Sequence, residues 1–142
     1  MKVSTKVAMS VLATTLVTSA GFAWSQRIQD LPAASLGIKM PALSKVALAG
    51  QHAYDATCAK CHGTYGRGTD KGPPFLNSVY NPGHHSDEAF QRAVRQGTRQ
   101  HHWKFGDMPA QPQVSDSEIT EIVRYVRELQ EANGIVTQPH NM

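Results

Sequence analysis

The segment Cys58-Ala59-Lys60-Cys61-His62 lies near the middle of the 142-residue chain and contains its only two cysteines. On a helix, positions i and i+3 lie on the same side, which brings the two thiols to about 5–6 Å from each other at their Cβ atoms. Each thiol can add to one vinyl group of a haem, and His62 then lies under the ring with a nitrogen aimed at the iron. The order C-x-x-C-H therefore predicts the covalent attachment of one haem c through two thioethers.

Two other uses of a cysteine pair fit the sequence less well. A thioredoxin-like C-x-x-C motif needs a βαβ setting, and no stretch of this chain alternates well enough to predict a strand. A zinc knuckle needs further thiol or imidazole ligands at matching spacing, but residues 63–82 contain neither cysteine nor histidine. Two cysteines also cannot form a disulfide-dense scaffold.

Three helices are predicted around this motif, over 44–60, over 87–96 and from a capping box at Ser115 and Glu118 to just before Gly134. Each has one face of mainly apolar residues at helical spacing. These faces are Val46, Gly50, Ala53, Tyr54 and Thr57; then Ala89, Phe90, Ala93 and Val94; then Ile119, Ile122, Val123, Val126 and Leu129.

The predicted domain, residues 44–137, has few large apolar side chains and a long irregular loop between its first two helices. Domains of this size bury only about 60–65% of the surface of the unfolded chain. A large apolar cofactor would supply the missing interior. Gly50 costs its helix about 1 kcal/mol relative to alanine, which is reasonable if another helix crosses closely there.

A second iron ligand is predicted in the segment Gly106-Asp107-Met108-Pro109. A residue before proline is disfavoured in the α region, so Met108 belongs to an extended loop that can present its thioether to the iron. The alternative is a core methionine that fills a gap. Met40 falls in a predicted linker and Met142 at the carboxyl terminus.

Together these motifs resemble the class I c-type cytochromes over residues 44–133. The resemblance rests on the attachment motif and on three further segments, namely Gly72-Pro73-Pro74-Phe75-Leu76, Gly106-Asp107-Met108-Pro109 and Ile122-Val123-Arg124-Tyr125-Val126. It implies an all-α cytochrome c fold, with three main helices around a covalently bound haem that has one edge exposed. A signal or anchor helix, predicted below from the sequence itself, would precede this domain. The resemblance also implies that the helix of Gly50 and Tyr54 crosses the last helix near Tyr125.

The same resemblance implies roles for individual residues. His62 would be the proximal iron ligand and Met108 the distal one, and the carbonyl of Pro73 would accept a hydrogen bond from the other nitrogen of His62. Trp103 would pack on the ring and donate its N–H to a propionate, although plain core packing is the alternative. Weaker candidates for the pocket wall are Tyr65, Phe75, Leu76 and Tyr80, and of these Phe75 and Leu76 are predicted to bind the cofactor.

The function that follows is that of a single-electron carrier between a donor and an acceptor protein, and not of an enzyme. With both axial positions filled, no substrate reaches the iron without displacing a ligand. Two alternatives remain open: an electron-relay subunit of a larger oxidoreductase, and a peroxidase or gas-binding protein with a displaceable distal ligand. Basic residues near the motifs are candidates for partner docking or are ordinary solvated charges; they are Lys60, Arg67, Lys71 and Lys104.

Two pairs of histidines, His84-His85 and His101-His102, flank the second predicted helix. They are not part of the family pattern. One hypothesis is an accessory copper or zinc site, because imidazole suits both metals. Another is that His101 or His102 replaces Met108 at the iron. A third is that they are surface or hydrogen-bonding histidines.

The amino-terminal residues 1–24 are predicted to be a secretory signal or an uncleaved membrane anchor. Lys2 and Lys6 precede an apolar run that ends near Trp24, and Ala20 and Ala23 are candidate cleavage positions. As a helix the run would span about 27 Å, just short of a bilayer core of about 30 Å. A buried helix of the domain is a further alternative.

Both a secretory signal and an anchor export the chain, so the protein is predicted to be periplasmic, either soluble after cleavage or tethered to the inner membrane. Residues 25–43, with Pro32 and Pro41, are a predicted linker, and residues 138–142 a tail. With 14 basic and 11 acidic residues the net charge is +3. So small a charge gives no reason to expect a nucleic-acid partner.

Overall fold

The computed structural model describes residues 31–138. The chain divides into two compact units, Met1–Pro32 and Ala33–Met142, and the fold below is that of the second. The predicted signal or anchor over 1–24 lies outside the described residues, as does most of the predicted tail. Within residues 31–138, no helix has both the length and the apolarity that crossing a bilayer requires.

Four α-helices form the framework: α1 (Lys45–Thr57), α2 (Ala59–His62), α3 (Asp87–Gln96) and α4 (Asp116–Ala132). Short 3-10 turns lie at Ala33–Leu36, Thr64–Gly66 and Ser78–Tyr80. The described residues contain no strand, and their one isolated β-bridge pairs Thr98 with Met108. The all-helical fold predicted from the sequence is confirmed.

The helix α1 is capped as predicted but is shorter, and its buried face differs from the predicted one at the first position. The Ser44 side chain accepts a hydrogen bond from the backbone N–H of Ala47, and the helix ends at Thr57. Ala47, Gly50 and Tyr54 are its buried residues, whereas Val46 is 49% exposed. The prediction for Val46 is therefore wrong, because the buried stripe begins one residue later, at Ala47.

The closest helix contact is the crossing of α1 and α4 at Gly50. A Cβ atom placed on Gly50 would overlap the backbone carbonyl of Glu121. The glycine therefore lets two backbones touch, as its place in the sequence suggested. One turn further along α4, the ring of Tyr125 is fully buried and lies 5.3 Å from that of Tyr54.

Local signals describe α3 and α4 well. Asp87 opens α3 and Gly97, with φ +73°, ends it. The capping box at the start of α4 is complete, because Ser115 accepts from the Glu118 N–H while the Glu118 carboxylate accepts from the Ser115 N–H. The whole apolar stripe predicted for α4 is buried, comprising Ile119, Ile122, Val123, Val126 and Leu129.

Part of the predicted linker belongs to the domain. Ala33 is buried, and Ile38 and Leu43 pack against the core of α1 and α4. The backbone of Lys39 forms two hydrogen bonds with the Asn133 side chain, of 3.0 and 2.9 Å, at the end of α4. The apolar side chains in this stretch and the Asn133 amide explain why it docks although it has no helical stripe.

Candidate functional site

The cysteine motif occupies a single helical turn at the junction of α1 and α2. Cys58 links the two helices in the αR region, and its carbonyl accepts hydrogen bonds from the N–H groups of Cys61 and His62, at 3.1 and 2.9 Å. Both thiols are free; Cys58 is half-buried and Cys61 is exposed. Gly63, with φ +73°, ends the turn, and the Tyr54 hydroxyl donates to its carbonyl at 2.9 Å.

The following loop folds back over the motif. The Thr69 hydroxyl donates to the Cys61 carbonyl at 2.6 Å, and the Phe75 N–H donates to the Gly66 carbonyl at 2.7 Å. A Cβ atom on Gly72 would lie 2.9 Å from the Cys61 carbonyl oxygen, so this close approach requires glycine. The loop thereby brings residues 73–75 beside the motif.

His62 is oriented by a hydrogen bond and by ring stacking. Its Nδ1 lies 3.0 Å from the Pro73 carbonyl oxygen, and because a carbonyl can only accept, Nδ1 must carry the proton. Nε2 is then left with a lone pair that can bind a metal. The Phe75 ring stacks on the imidazole at 4.3 Å and 21°. Burial lowers the pKa of His62, and the Pro73 hydrogen bond only partly opposes this, which favours the neutral, ligand-competent form.

A cavity of about 440 Å³ opens beside His62. Its volume lies in the range of about 300–1,000 Å³ that is usual for cofactor sites. Six of the eight residues predicted to hold the cofactor line it: Cys58, His62, Pro73, Phe75, Trp103 and Met108. Helices α3 and α4 supply apolar walls through Val94, Ile122, Val123 and Val126.

The other two predicted residues lie elsewhere. Leu76 packs against the core of α1 and α4 and is not among the residues that line the cavity. Cys61 is exposed and does not line it either. A second, more open depression of about 730 Å³ runs along residues 33–40 and contains Met40. It is larger, but its lining includes neither cysteine nor histidine, so the smaller cavity is the candidate site.

Met108 is held at the cavity by its backbone. Its N–H and carbonyl each form a 2.9 Å hydrogen bond with Thr98, which gives the extended conformation expected before Pro109. The absence of a side chain at Gly97 permits this contact, since a Cβ atom there would lie 2.6 Å from the Met108 carbonyl oxygen. Met108 also packs against the cluster of Val94, Ile119 and Val123. The site thus brings an imidazole and a thioether to the same cavity.

Trp103 provides an observation that tests the fit of a haem. Its indole Nε1 is buried without a hydrogen-bond acceptor of good geometry, although it lies close enough to the Tyr80 hydroxyl to oppose the rise in the Tyr80 pKa that burial causes. A buried donor without an acceptor is costly. A carboxylate of a bound group, such as a haem propionate, would satisfy it, so the residues present fit the group.

The raised pKa of one thiol does not favour a redox-active cysteine pair. Burial, with smaller effects of Cys61 and Asp55, raises the pKa of Cys58 to about 11. A redox-active cysteine needs a stabilised thiolate. Burial instead favours the neutral thiol of Cys58.

Two polar residues of α4 that sequence reasoning missed bind the backbone of the loop beside the site. The Gln130 amide is 1% exposed and donates to the carbonyls of Phe75 and Tyr80, at 2.9 and 3.1 Å. Arg127 donates to the carbonyls of Tyr80 and His85 and pairs with Asp87 at 2.7 Å. Gln130 continues the apolar stripe one turn after Val126. A polar residue at such a position indicates a buried side chain with hydrogen-bond partners, and this was the signal that could have identified it.

A family model described as Cytochrome c matches residues 47–130, which is more than half of the chain. The matched range extends from the buried start of α1 to Gln130 and includes the attachment motif and Met108. No curated protein and no solved structure matches the chain significantly.

Proposed function

The chain belongs to the cytochrome c family, and on that basis we propose that it carries single electrons between redox proteins of the periplasm. Cys58 and Cys61 would hold one haem c, and His62 and Met108 would bind its iron. When bound, the haem supplies a one-electron Fe(II)/Fe(III) couple. The family supports electron transfer; the ligand pair, the location and the partners are our proposal.

The observation that carries this proposal is the meeting of His62 and Met108 at one cavity beside Cys58. The Pro73 hydrogen bond fixes the ring of His62 and leaves Nε2 as its ligand atom. The Thr98 bridge holds the backbone of Met108. Two protein ligands leave no coordination position for a substrate, which favours a carrier over a peroxidase or a gas-binding protein. Ligation by one imidazole and one thioether raises the reduction potential of a haem relative to ligation by two nitrogens.

The chain also controls what reaches the site. Phe75, Val123 and Val126 are among the apolar side chains that line the cavity and exclude water from it. Lys60, Lys71 and Lys104 are exposed, and Arg92 and Arg99 lie at the cavity. These cations support docking to an acidic partner surface, so we expect the rate of electron exchange to fall as ionic strength rises.

The periplasmic location rests on the sequence of residues 1–24. Lys2 and Lys6 ahead of an apolar run support export, by a cleaved signal or by an anchor. Amino-terminal sequencing of the native protein distinguishes the two, and recovery from membranes in a complex with other redox proteins would favour the relay-subunit alternative.

A redox-titrated optical spectrum of the exported protein tests the ligand pair. We expect a covalent haem whose ferric form has the sulfur-to-iron charge-transfer band. Met108→Ala should abolish this band and lower the potential, because the thioether is lost, whereas the control Met40→Ala should leave both unchanged. Absence of the band from the unmodified protein, together with rapid peroxide turnover, would favour the enzymatic alternative. Unchanged ligation in Met108→Ala would favour His101 or His102 as the ligand, since both also line the cavity.

A further inference from the structure

Four imidazoles converge from two loops that are distant in sequence. His84 and His85 precede α3, and His101 and His102 follow it. Nε2 of His84 lies 3.1 Å from Nε2 of His102, and Nε2 of His85 lies 3.4 Å from Nε2 of His101. One ligand nitrogen from each of His84, His85 and His102 falls within 4.8 Å of the other two.

Backbone carbonyls orient two of these rings. Nδ1 of His85 donates to the Val79 carbonyl at 2.8 Å, and Nδ1 of His101 donates to the Arg99 carbonyl at 2.8 Å. In both rings the proton is on Nδ1, so Nε2 is the nitrogen with the lone pair. Metal-binding histidines in proteins have the same arrangement, in which the second nitrogen donates to a carbonyl or carboxylate and fixes the ring.

The spacing of two of these nitrogens is compatible with a shared metal ion. Two nitrogens that each lie about 2.0–2.1 Å from a tetrahedral Zn²⁺ are about 3.3 Å apart, and the Nε2 atoms of His84 and His102 lie 3.1 Å apart. His85 offers a third ligand nitrogen within 4.8 Å of the other two. Nε2 of His101 lies 3.4 Å from Nε2 of His85, and with both Nδ1 atoms protonated these two atoms are acceptors that cannot bond to each other.

We propose that His84, His85 and His102 form a site for a divalent transition-metal ion of the zinc and copper class. His85 and His102 also line the cavity beside His62, so the ion lies next to the electron-transfer site. The proposal does not depend on the haem ligands. Nε2 of His102 is directed at His84 and therefore serves the cluster.

Zinc binding to the exported, haem-loaded chain without a polyhistidine tag tests the proposal. Titration calorimetry with Zn²⁺ alone should give one ion per chain. His102→Ala should weaken binding by at least about tenfold, and because His102 is exposed this change should not unfold the domain. X-ray absorption at the zinc edge should give imidazole nitrogens at about 2.0–2.1 Å.

His52→Ala is the matched control, since it removes an exposed imidazole from α1 outside the cluster and should leave zinc affinity unchanged. His84→Ala should repeat the effect of His102→Ala. Absence of uptake, or equal weakening by His52→Ala and His102→Ala, would overturn the proposal and leave only adventitious binding. The visible spectrum of each variant reports the haem separately, so a failure of this site is distinguishable from a failure of the proposed axial ligation.

Discussion

Burial sets the reactivity of each residue in the attachment motif. Cys58 is half-buried and has its pKa raised to about 11, whereas Cys61 is exposed. His62 is buried, and its pKa is lowered. Three residues in one turn thus differ in chemistry because they are buried to different degrees.

In the chain without haem, Cys61 should react with an alkylating reagent before Cys58. At pH 8 a thiol of pKa about 11 is ionised to only about one part in a thousand, and burial also restricts access to Cys58. Timed alkylation followed by mass spectrometry measures the two rates. The variant Cys61→Ser, which retains only Cys58, should react slowly until denaturant is added. Equal rates for both thiols in the folded chain would contradict this expectation.

The pairing of α1 with α4 is the contact on which the element arrangement depends. Gly50 gives α1 a flat surface at Glu121, and the buried rings of Tyr54 and Tyr125 meet beside it. The Tyr54 hydroxyl then ties α1 to the end of the cysteine turn through the Gly63 carbonyl. The position of the motif follows from this crossing.

Gly50→Ala should destabilise the domain by about 1–3 kcal/mol or more, because the added methyl overlaps the Glu121 carbonyl and forces the helices apart. Urea unfolding followed by circular dichroism measures the loss. Ala49→Val is the control, since Ala49 is exposed on the same helix and the change should cost less than about 1 kcal/mol. Equal effects of the two changes would show that the crossing is not tight.

Helix α4 also holds the loop that contains Phe75 and Tyr80 through the Gln130 side chain. Gln130→Leu should lower the free energy of unfolding by about 1–3 kcal/mol, because the Phe75 carbonyl loses its donor while the Tyr80 carbonyl keeps only the one from Arg127. Urea unfolding measures the loss, and faster hydrogen exchange of the Phe75 amide would locate it in the loop. Glu131→Gln, one exposed residue further along, should have little effect. Unaltered exchange in Gln130→Leu would contradict this role of Gln130.

For the molecule as a whole, a haem bound in the cavity of about 440 Å³ would form part of the core. A covalently attached haem stays on the unfolded chain, so it stabilises the fold through the apolar surface that it buries in the folded domain. The free energy of unfolding of the double variant Cys58→Ser, Cys61→Ser, isolated without haem, should therefore be lower by about 2 kcal/mol or more. This lowers Tm by roughly 8–16 °C in a domain of this size. Thermal unfolding by circular dichroism measures this. The single variant Cys61→Ser, loaded through one thioether, should lie in between, and equal Tm values for all three proteins would contradict the idea.

Several features of the fold were predictable because their signals are local. The bounds of α3 follow from Asp87 and Gly97, and the start of α4 follows from its capping box. The buried face of α1 was misplaced at Val46, and the docking of Ile38 was missed. In both cases burial depends on which surface another part of the chain presents, and local periodicity does not contain that information.

The order of side chains within one turn was enough to predict covalent haem attachment, since two thiols and an imidazole at that spacing can meet one porphyrin. The crossing of α1 and α4, the docking of Met108 on Thr98, the convergence of the four histidines and the role of Gln130 became visible only in three dimensions. Each joins residues from different elements or loops of the chain. Such contacts exist only when packing of the helices repays the entropy of closing the loops between them, and no short stretch of sequence records that balance.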